Sequence, residues 1–143
     1  MFAGLDGLRL SHWKAAQRDD GVLVLAFDRA GESVNTFAQD VLIELDAVLE
    51  RLALEPPKAV VLASGKDKGF IAGADISEFG KPPVEPFLPD VIDAIEASDK
   101  PIVAALHGTV LGGGLEVALG AHARVAVPGT RLGLPEVTLG LLP

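Results

Sequence analysis

The sequence contains no cysteine, which excludes disulfide bonds, thiolate nucleophiles and zinc or iron–sulfur sites built on cysteine. Positive charge is scarce too, with 12 lysines and arginines against 20 aspartates and glutamates and a formal net charge of −8. This balance disfavours a surface that neutralises phosphates nonspecifically, so we expect no nucleic-acid partner. The lack of cysteine is compatible with the cytoplasm, which is the location we expect.

Long hydrophobic runs are also missing, since no apolar stretch reaches the roughly 18 to 20 residues that a membrane-spanning helix needs. Residues 1–10 lack the basic start and apolar core of a signal peptide. We therefore expect neither membrane insertion nor secretion. The chain should nonetheless fold as one domain over residues 1–143, because 49% of its residues are hydrophobic and 22% are charged.

The regular structure can be predicted from apolar patterns. Four short runs indicate strands: Val22–Phe27, Ala59–Ala63, Ile102–Leu106 and Val125–Val127. Such runs, without polar alternation, are typical of strands covered on both faces. Helical periodicity separates them over Phe37–Leu52, Leu88–Ile95 and Leu115 to about Ala121. Alternating strands and helices predict an α/β fold.

The ends of the first helix can also be predicted. Thr36 and Gln39 have the spacing of a capping box, in which each side chain satisfies a backbone amide of the first turn. Pro56 and Pro57 should stop the helix before the next strand.

Several motifs are excluded by inspection. The sequence has no P-loop, no Gly-x-Gly-x-x-Gly after a strand and no Gly-x-Ser-x-Gly nucleophile elbow. His12, His107 and His122 lack the spacing of a zinc helix, so we expect ordinary structural histidines. No metal and no bound cofactor are predicted for this chain.

A glycine triplet, Gly112-Gly113-Gly114, lies where a strand turns into a helix. Backbone amides at such a helix start favour a negatively charged oxygen, and glycine lets a ligand approach closely. Glu116 follows about one turn later, and helical side chains lean toward the N-terminus, so its carboxylate can reach the space near the Gly113 amide. The alternative is that the glycines only permit close helix packing and Glu116 is a surface residue.

Two further features are weaker. Glu136 follows apolar residues, where a carboxylate is costly unless it is paired, neutralised or used. Gly73 precedes a probable helix start, which leaves backbone amides such as that of Ala74 free, although an ordinary helix entry explains the same pattern.

Four blocks resemble the enoyl-CoA hydratase (crotonase) superfamily: Gly73–Phe79, Lys100–Gly108, Leu111–Glu116 and Leu134–Pro143. The resemblance covers roughly Val22 to the end and is strongest to the N-terminal hydratase part of bifunctional enoyl-CoA hydratase/3-hydroxyacyl-CoA dehydrogenases. It implies a spiral of β-β-α units, and members of the family continue beyond the block that ends at Pro143, so we expect a C-terminally truncated fragment.

The resemblance also implies the site. Its oxyanion hole, which binds the thioester oxygen of an acyl-CoA, falls on the amides of Ala74 and Gly113. The catalytic glutamates fall on Glu116 and Glu136, and further substrate or coenzyme A contacts on Gly73, Asp75, Ile76 and Gly112. Lys66 and Lys68 are candidate contacts for the phosphates of coenzyme A, with a solvated loop as the alternative.

The implied reaction is hydration of 2-enoyl-CoA to 3-hydroxyacyl-CoA in fatty acid β-oxidation. The alternatives are Δ3,Δ2-enoyl-CoA isomerisation, or a noncatalytic CoA-binding or assembly module. Coenzyme A enters as part of the substrate, and NAD would be needed only by a downstream dehydrogenase domain. Such a domain or further copies of the chain are the expected protein partners.

Overall fold

A computed structural model of the chain describes residues 2–143. The strands in this range are β1 (Trp13–Gln17), β2 (Val22–Phe27), β3 (Ala59–Ser64), β4 (Gly69–Ile71), β5 (Ile102–Leu106), β6 (Thr109–Leu111), β7 (Ala123–Ala126) and β8 (Arg131–Gly133). The α-helices are α1 (Gln39–Leu54), α2 (Leu88–Glu96) and α3 (Gly113–Gly120). Short 3₁₀ helices span Ala3–Leu5, Ile76–Glu78 and Pro135–Leu139.

The strands form two sheets. The larger has the order β1-β2-β3-β5-β7, with β1 antiparallel to β2 and the remaining pairs parallel. The smaller has the order β4-β6-β8 and is parallel throughout. Parallel neighbours linked through helices are the α/β arrangement that the alternating pattern predicts.

The apolar runs become strands, but the expected cover on both faces is wrong. In β2 every second residue is fully buried while its neighbours are partly exposed, so one face packs on the core and the other is only half covered. In β7 all four residues are exposed. The reason is position, because β7 lies at the edge of the larger sheet with β5 as its one neighbour there.

The apolar stripe of α1 is buried as predicted, with Val41, Leu45 and Val48 fully inside the core. The predicted capping box is wrong. Ala38 is the N-cap and makes no side-chain cap, and the Gln39 amide instead donates to Glu78 Oε1 at 2.9 Å. A carboxylate from a later loop thus satisfies the amide that a neighbouring side chain was expected to satisfy.

Stacked aromatic rings connect the core to the site region. Trp13 stacks on Phe27 with ring centroids 4.6 Å apart, and Phe27 stacks on Phe37 at 5.8 Å. All three rings are buried. Phe37 lies two residues before the start of α1, so the core fixes the backbone on which the first element of the site rests.

Candidate active site

The first element of the candidate site is the loop after β4, in which Ala74 is exposed. Phe37 holds this loop on both sides: its amide donates to the Gly73 carbonyl oxygen at 2.8 Å, and its carbonyl oxygen accepts from the Asp75 amide at 2.8 Å. These bonds bracket Ala74, whose own amide has no acceptor among residues 2–143. A peptide fixed on both sides with a free N–H is suited to binding a ligand oxygen.

The second element is the glycine triplet at the junction of β6 and α3. Gly112 is the N-cap, with φ 54° and ψ −126°, a conformation that residues with side chains rarely adopt. Its amide donates to the Gly133 carbonyl oxygen at 3.0 Å, whereas the amide of Gly113 has no acceptor in the described chain. A free amide at a helix N-terminus favours negative charge on its partner.

Close packing, the alternative reason for the triplet, also applies, but to a different glycine. A β-carbon at Gly114 would lie 2.6 Å from the Ile71 carbonyl oxygen, so this residue lets α3 pack directly on β4. A β-carbon at Gly113 would lie 2.8 Å from Leu88 Cδ2, the end of a side chain. The triplet therefore combines one packing position with one free amide.

The two elements touch each other. A β-carbon at Gly112 would lie 3.5 Å from Gly73 Cα, and one at Gly73 would lie 3.6 Å from the Leu111 carbonyl oxygen. The cause is the smaller sheet, in which β4 and β6 are parallel neighbours, so that the loops following their carboxyl ends meet. Ala74 directly follows Gly73, and Gly113 directly follows Gly112, so each free amide lies next to a residue of this contact.

Glu136 lies against the same place. It is in the first turn of the 3₁₀ helix after β8, which neighbours β6 in the smaller sheet. A β-carbon at Gly112 would come within 2.7 Å of Glu136 Oε1. Glu136 Oε2 is buried and has no hydrogen-bond partner within residues 2–143. A buried carboxylate oxygen without a partner is energetically unfavourable, which makes Glu136 a candidate functional residue.

Glu116 lies in the first turn of α3 and is half-buried. Its amide donates to the Gly112 carbonyl oxygen at 3.0 Å, which ties this turn to the glycine triplet. Its carboxylate forms no hydrogen bond or ion pair with the described residues, and it therefore remains available for a ligand or water.

Asp75 and Ile76, both expected to contact substrate, differ in availability. Asp75 Oδ1 accepts from the Ser77 amide at 2.9 Å and the Ser77 hydroxyl at 2.7 Å, while Oδ2 accepts from Arg29 Nη2 at 2.8 Å. The Ser77 hydroxyl, the Arg29 guanidinium and the Ser77 amide together lower the pKa of Asp75 to about 2. Ile76 is 71% exposed and open to a ligand.

The two candidate phosphate contacts also differ. Lys66 Nζ pairs with Asp28 Oδ1 at 2.7 Å and donates to the Arg29 carbonyl oxygen at 2.8 Å. Its ammonium is thus engaged inside the protein. Lys68 is exposed and lines a small cavity of about 140 Å³ together with Thr109, so the structure leaves only Lys68 of this pair available to an anion.

Arg29 is a residue of the site region that the sequence patterns do not reveal. Besides Asp75, its guanidinium contacts the Thr36 hydroxyl. The available signal was its place just after the carboxyl end of β2, the end where polar residues of parallel sheets gather. No spacing rule connects it to Asp75, which lies 46 positions away.

The histidines are satisfied by protein groups. His12 Nε2 lies 2.9 Å from Asp40 Oδ2, and its Nδ1 accepts from the Ala30 amide at 3.1 Å.

Among residues 2–143, no three His, Asp or Glu side chains are grouped as metal ligands. The same part of the chain has no helix that combines the length and the apolar character needed to span a membrane.

A cleft of about 320 Å³ lies elsewhere, between the C-terminal ends of α1 and α2. Val60 and Ile102, near the starts of β3 and β5, form part of its wall. None of the residues predicted for the site lines this cleft. Lys66 and Lys68 lie in the loop between β3 and β4, and the other predicted residues follow the ends of β4, β6 and β8.

Residues 17–143 match the sequence profile of the family described as "Enoyl-CoA hydratase/isomerase". The chain is similar to the "Peroxisomal bifunctional enzyme" of Danio rerio, with 46% identity over 110 residues, 77% of this chain and 15% of that protein. It is also similar to the "Fatty acid oxidation complex subunit alpha" of Idiomarina loihiensis, with 43% identity over 136 residues, 88% of this chain and 19% of that protein. The chain thus spans a minor part of these curated relatives.

Solved structures give a matching result. An enoyl-CoA hydratase from Bacillus anthracis superposes with a TM-score of 0.83 at 27% identity, covering 92% of this chain and 54% of that one. DspI of Pseudomonas aeruginosa superposes with a TM-score of 0.85 at 25% identity, covering 96% of this chain and 55% of that one. The chain therefore corresponds to about half of each of these folded proteins.

Proposed function

Because the chain belongs to the enoyl-CoA hydratase/isomerase family and has its crotonase-like fold, we propose that it hydrates 2-enoyl-CoA thioesters to 3-hydroxyacyl-CoA in fatty acid oxidation. One observation carries the proposal. Glu136 has a buried, unpartnered carboxylate oxygen beside the touching stretches in which the amides of Ala74 and Gly113 are free. Donors for an oxyanion and a group that can transfer a proton would thus share one space.

The two amides would receive the thioester oxygen. When water attacks C3 of the C2=C3 bond, negative charge grows on this oxygen as the thioester becomes enolate-like. Each preorganised donor stabilises such charge by about 3 kcal/mol. The Gly113 amide adds the favourable field of the α3 N-terminus.

The two glutamates would divide the proton transfers. Glu116, as the carboxylate, takes a proton from water while the water oxygen bonds to C3. Glu136, as the neutral acid, gives its proton to C2, so that one water is added across the double bond. Exchange with solvent then restores both protonation states. Glu136 Oε2 is buried and has no hydrogen-bond partner among residues 2–143, so it is available to give this proton.

Coenzyme A would be held by the exposed groups beside the Ala74 loop. Lys68 is the residue proposed to meet a phosphate, and Ile76 offers exposed apolar surface to the rest of the cofactor moiety. Gly73 and Gly112 contribute close backbone approach. Asp75 and Lys66, whose charged groups already have protein partners, would act by shaping the loop.

Hydration itself requires no further cofactor. Should a dehydrogenase part follow this chain, as the resemblance to bifunctional enzymes suggests, NAD would serve that part and the 3-hydroxyacyl product would be its substrate. Further copies of this chain are the other protein partner that we propose. The cytoplasm remains the proposed location, while the Danio rerio relative is peroxisomal by its name.

The test is hydration of crotonyl-CoA, followed by the loss of absorbance of the conjugated thioester. Glu116→Gln and Glu136→Gln should each lower kcat about 100-fold or more, because each removes one proton transfer. Glu50→Gln, on the exposed face of α1, is the matched control and should have the wild-type rate. Full activity in both site variants would refute the proposal, and binding of acyl-CoA without turnover by the wild type would favour a noncatalytic module.

Isomerisation of 3-enoyl-CoA is the second candidate, favoured by the fact that Glu136 alone has a buried unpaired oxygen in the described chain. One carboxylate can move a proton between two carbons, with the same oxyanion donors. A 3-enoyl-CoA assay separates the reactions. If Glu116→Gln abolishes hydration but leaves isomerisation, both activities use this site with different demands on Glu116.

A further inference from the structure

Arg29 links the Ala74 loop to the segment of residues 36–37, whose backbone pairs with that loop. Its Nη2 donates to Asp75 Oδ2 at 2.8 Å, and its Nη1 donates to the Thr36 hydroxyl. The side chains of Arg29 and Asp75 are only 13% and 17% exposed, so this ion pair is largely shielded from water. Thr36 directly precedes Phe37, and Asp75 directly follows Ala74. The guanidinium therefore connects the residue before Phe37 with the residue after Ala74.

The backbone of Arg29 is itself fixed. Its amide donates to Asn35 Oδ1 at 2.9 Å, and its carbonyl oxygen accepts from Lys66 Nζ at 2.8 Å. Asn35 is buried and also donates to the carbonyl oxygens of Phe27 and Phe70. The guanidinium thus extends from a point that is anchored to the core.

We propose that Arg29 is a positioning residue, which fixes the direction of the Ala74 N–H by holding Asp75 and Thr36 in place. This inference rests on the proposed function, in which the Ala74 amide receives the thioester oxygen. Phe37 holds the peptides on either side of Ala74 by two backbone hydrogen bonds. Arg29 adds a hydrogen bond to the side chain of Asp75, the residue after Ala74. The peptide that carries the Ala74 N–H also contains the Gly73 carbonyl oxygen and is held directly by the Phe37 amide. The pair between Asp75 and Arg29 limits movement of the residue that follows Ala74.

A direct contact with the phosphates of coenzyme A explains Arg29 less well. The guanidinium is 13% exposed and already has a carboxylate and a hydroxyl as partners. A phosphate would have to displace Asp75, whose other oxygen is held by Ser77. The geometry also favours arginine over lysine, because a planar fork can bind two acceptors at fixed angles whereas an ammonium acts as a point charge.

The role should be local. Without Arg29, Asp75 Oδ1 keeps both bonds from Ser77, so the start of the 3₁₀ helix at Ile76–Glu78 remains capped. The Phe37 bonds to Gly73 and Asp75 also remain. What is lost is the side-chain tether that joins Asp75 to Thr36 and restrains the residue after Ala74. Misplacement of a catalytic donor by about 1 Å can lower a rate about 100-fold without changing the fold.

The experiment compares Arg29→Met and Arg29→Lys with Arg18→Met, which breaks a similar but exposed pair with Asp20 at 3.1 Å. Two readouts are taken: kcat and KM for crotonyl-CoA hydration, and the NMR signal of the ¹⁵N-labelled Ala74 amide with and without an acyl-CoA. Arg29→Met should lower kcat about 100-fold with KM changed less than about threefold. It should also shift the Ala74 signal and remove its response to ligand.

Arg29→Lys should recover part of the rate, and Arg18→Met should match the wild type in both readouts. If Arg29→Met is too unstable to study, Asp75→Asn provides the same test, because it keeps the shape of the side chain but removes the charge that Arg29 holds. The variant that combines Arg29→Met with Asp75→Asn should be no slower than the slower of these two single variants, because each change breaks the same ion pair.

The inference is overturned if Arg29→Met or Asp75→Asn leaves kcat and the Ala74 signal as in the wild type. A wild-type chain that neither binds nor hydrates enoyl-CoA would instead overturn the proposed function. If the wild type proves inactive in this way, the NMR signal of the Ala74 amide in ligand-free protein still decides the inference about Arg29. An unchanged signal in both variants would reject the positioning role, and a signal shifted in both would retain it for the geometry of the loop.

Discussion

Glu136 lies so close to the Gly112 backbone that no methyl group fits between them, because a β-carbon at position 112 would come within 2.7 Å of Glu136 Oε1. Gly112 also has φ 54°. The glycine is therefore required both by the turn into α3 and by the carboxylate beside it.

Gly112→Ala should consequently reduce both stability and activity. We expect the free energy of unfolding to fall by about 1–3 kcal/mol because of the backbone strain, and kcat to fall because Glu136 is displaced. Gly31→Ala is the control, since Gly31 also has a positive φ, 77°, but a β-carbon there meets nothing within 4 Å. Equal kcat in the two variants, measured with crotonyl-CoA, would contradict the role of the Glu136 contact.

Gly113→Ala tests the neighbouring contact. A β-carbon at position 113 would lie 2.8 Å from Leu88 Cδ2 and 3.3 Å from Phe37 Cδ2. Overpacking of this kind costs about 1–3 kcal/mol. Leu88→Ala should relieve it, so the double variant should be more stable in urea than the sum of the two single changes predicts. Strict additivity would show that Leu88 is not the obstacle.

The stability of the chain should depend on the charge of Asp75. Its bonds from Ser77 and Arg29 lower its pKa from 3.8 to about 2 in the folded chain. Since the folded value lies below the unfolded one, this stabilisation is fully present above about pH 4 and is lost as the pH falls through about 2. The difference in free energy of unfolding between the wild type and Asp75→Asn should therefore shrink over this range.

Urea titrations at several pH values measure that difference. Ser77→Ala removes the hydroxyl donor, and the pH dependence in this background should be weaker. A wild-type advantage over Asp75→Asn that stays constant from pH 4 to pH 2 would mean that Asp75 is not held as the structure shows.

The two lysines should affect coenzyme A binding differently. Lys68→Met should weaken binding about threefold, as expected for the loss of an exposed ion pair, and the loss should be smaller in high salt. Lys66→Met should leave the affinity unchanged, because the Lys66 ammonium is bound to Asp28 and the Arg29 carbonyl oxygen. Calorimetric titration with coenzyme A at two salt concentrations checks both, and the opposite order would reverse the assignment.

Sequence patterns predicted the long apolar elements well. β2 and β5 have the predicted bounds, and α1 and α2 lie within two residues of theirs. The resemblance to the hydratase part of bifunctional enzymes is confirmed by the family profile and by the relatives that it matches. Burial of apolar side chains leaves a periodic trace in sequence, which is why these elements can be found without a structure.

The other elements leave little or no such trace. β4, β6 and β8 have three residues each, too few for a period, and β1 is mostly exposed, with Trp13 as its one buried residue. Their order in the smaller sheet nevertheless brings the loops of Ala74, Gly112 and Glu136 together. Arg29 and the cap on α1 were missed for a related reason, because each depends on a contact between distant parts of the chain.

The cap on α1 has a consequence for how the molecule opens. The Gln39 amide donates to the carboxylate of Glu78, which lies 39 positions later in the chain. Glu78 belongs to the segment just after Ala74. If that segment detaches, the first turn of α1 loses its acceptor and begins to fray. Hydrogen exchange should accordingly register the helix start and the Ala74 loop as a single cooperative unit, so that a fluctuation that disorders this loop also loosens the first turn of α1.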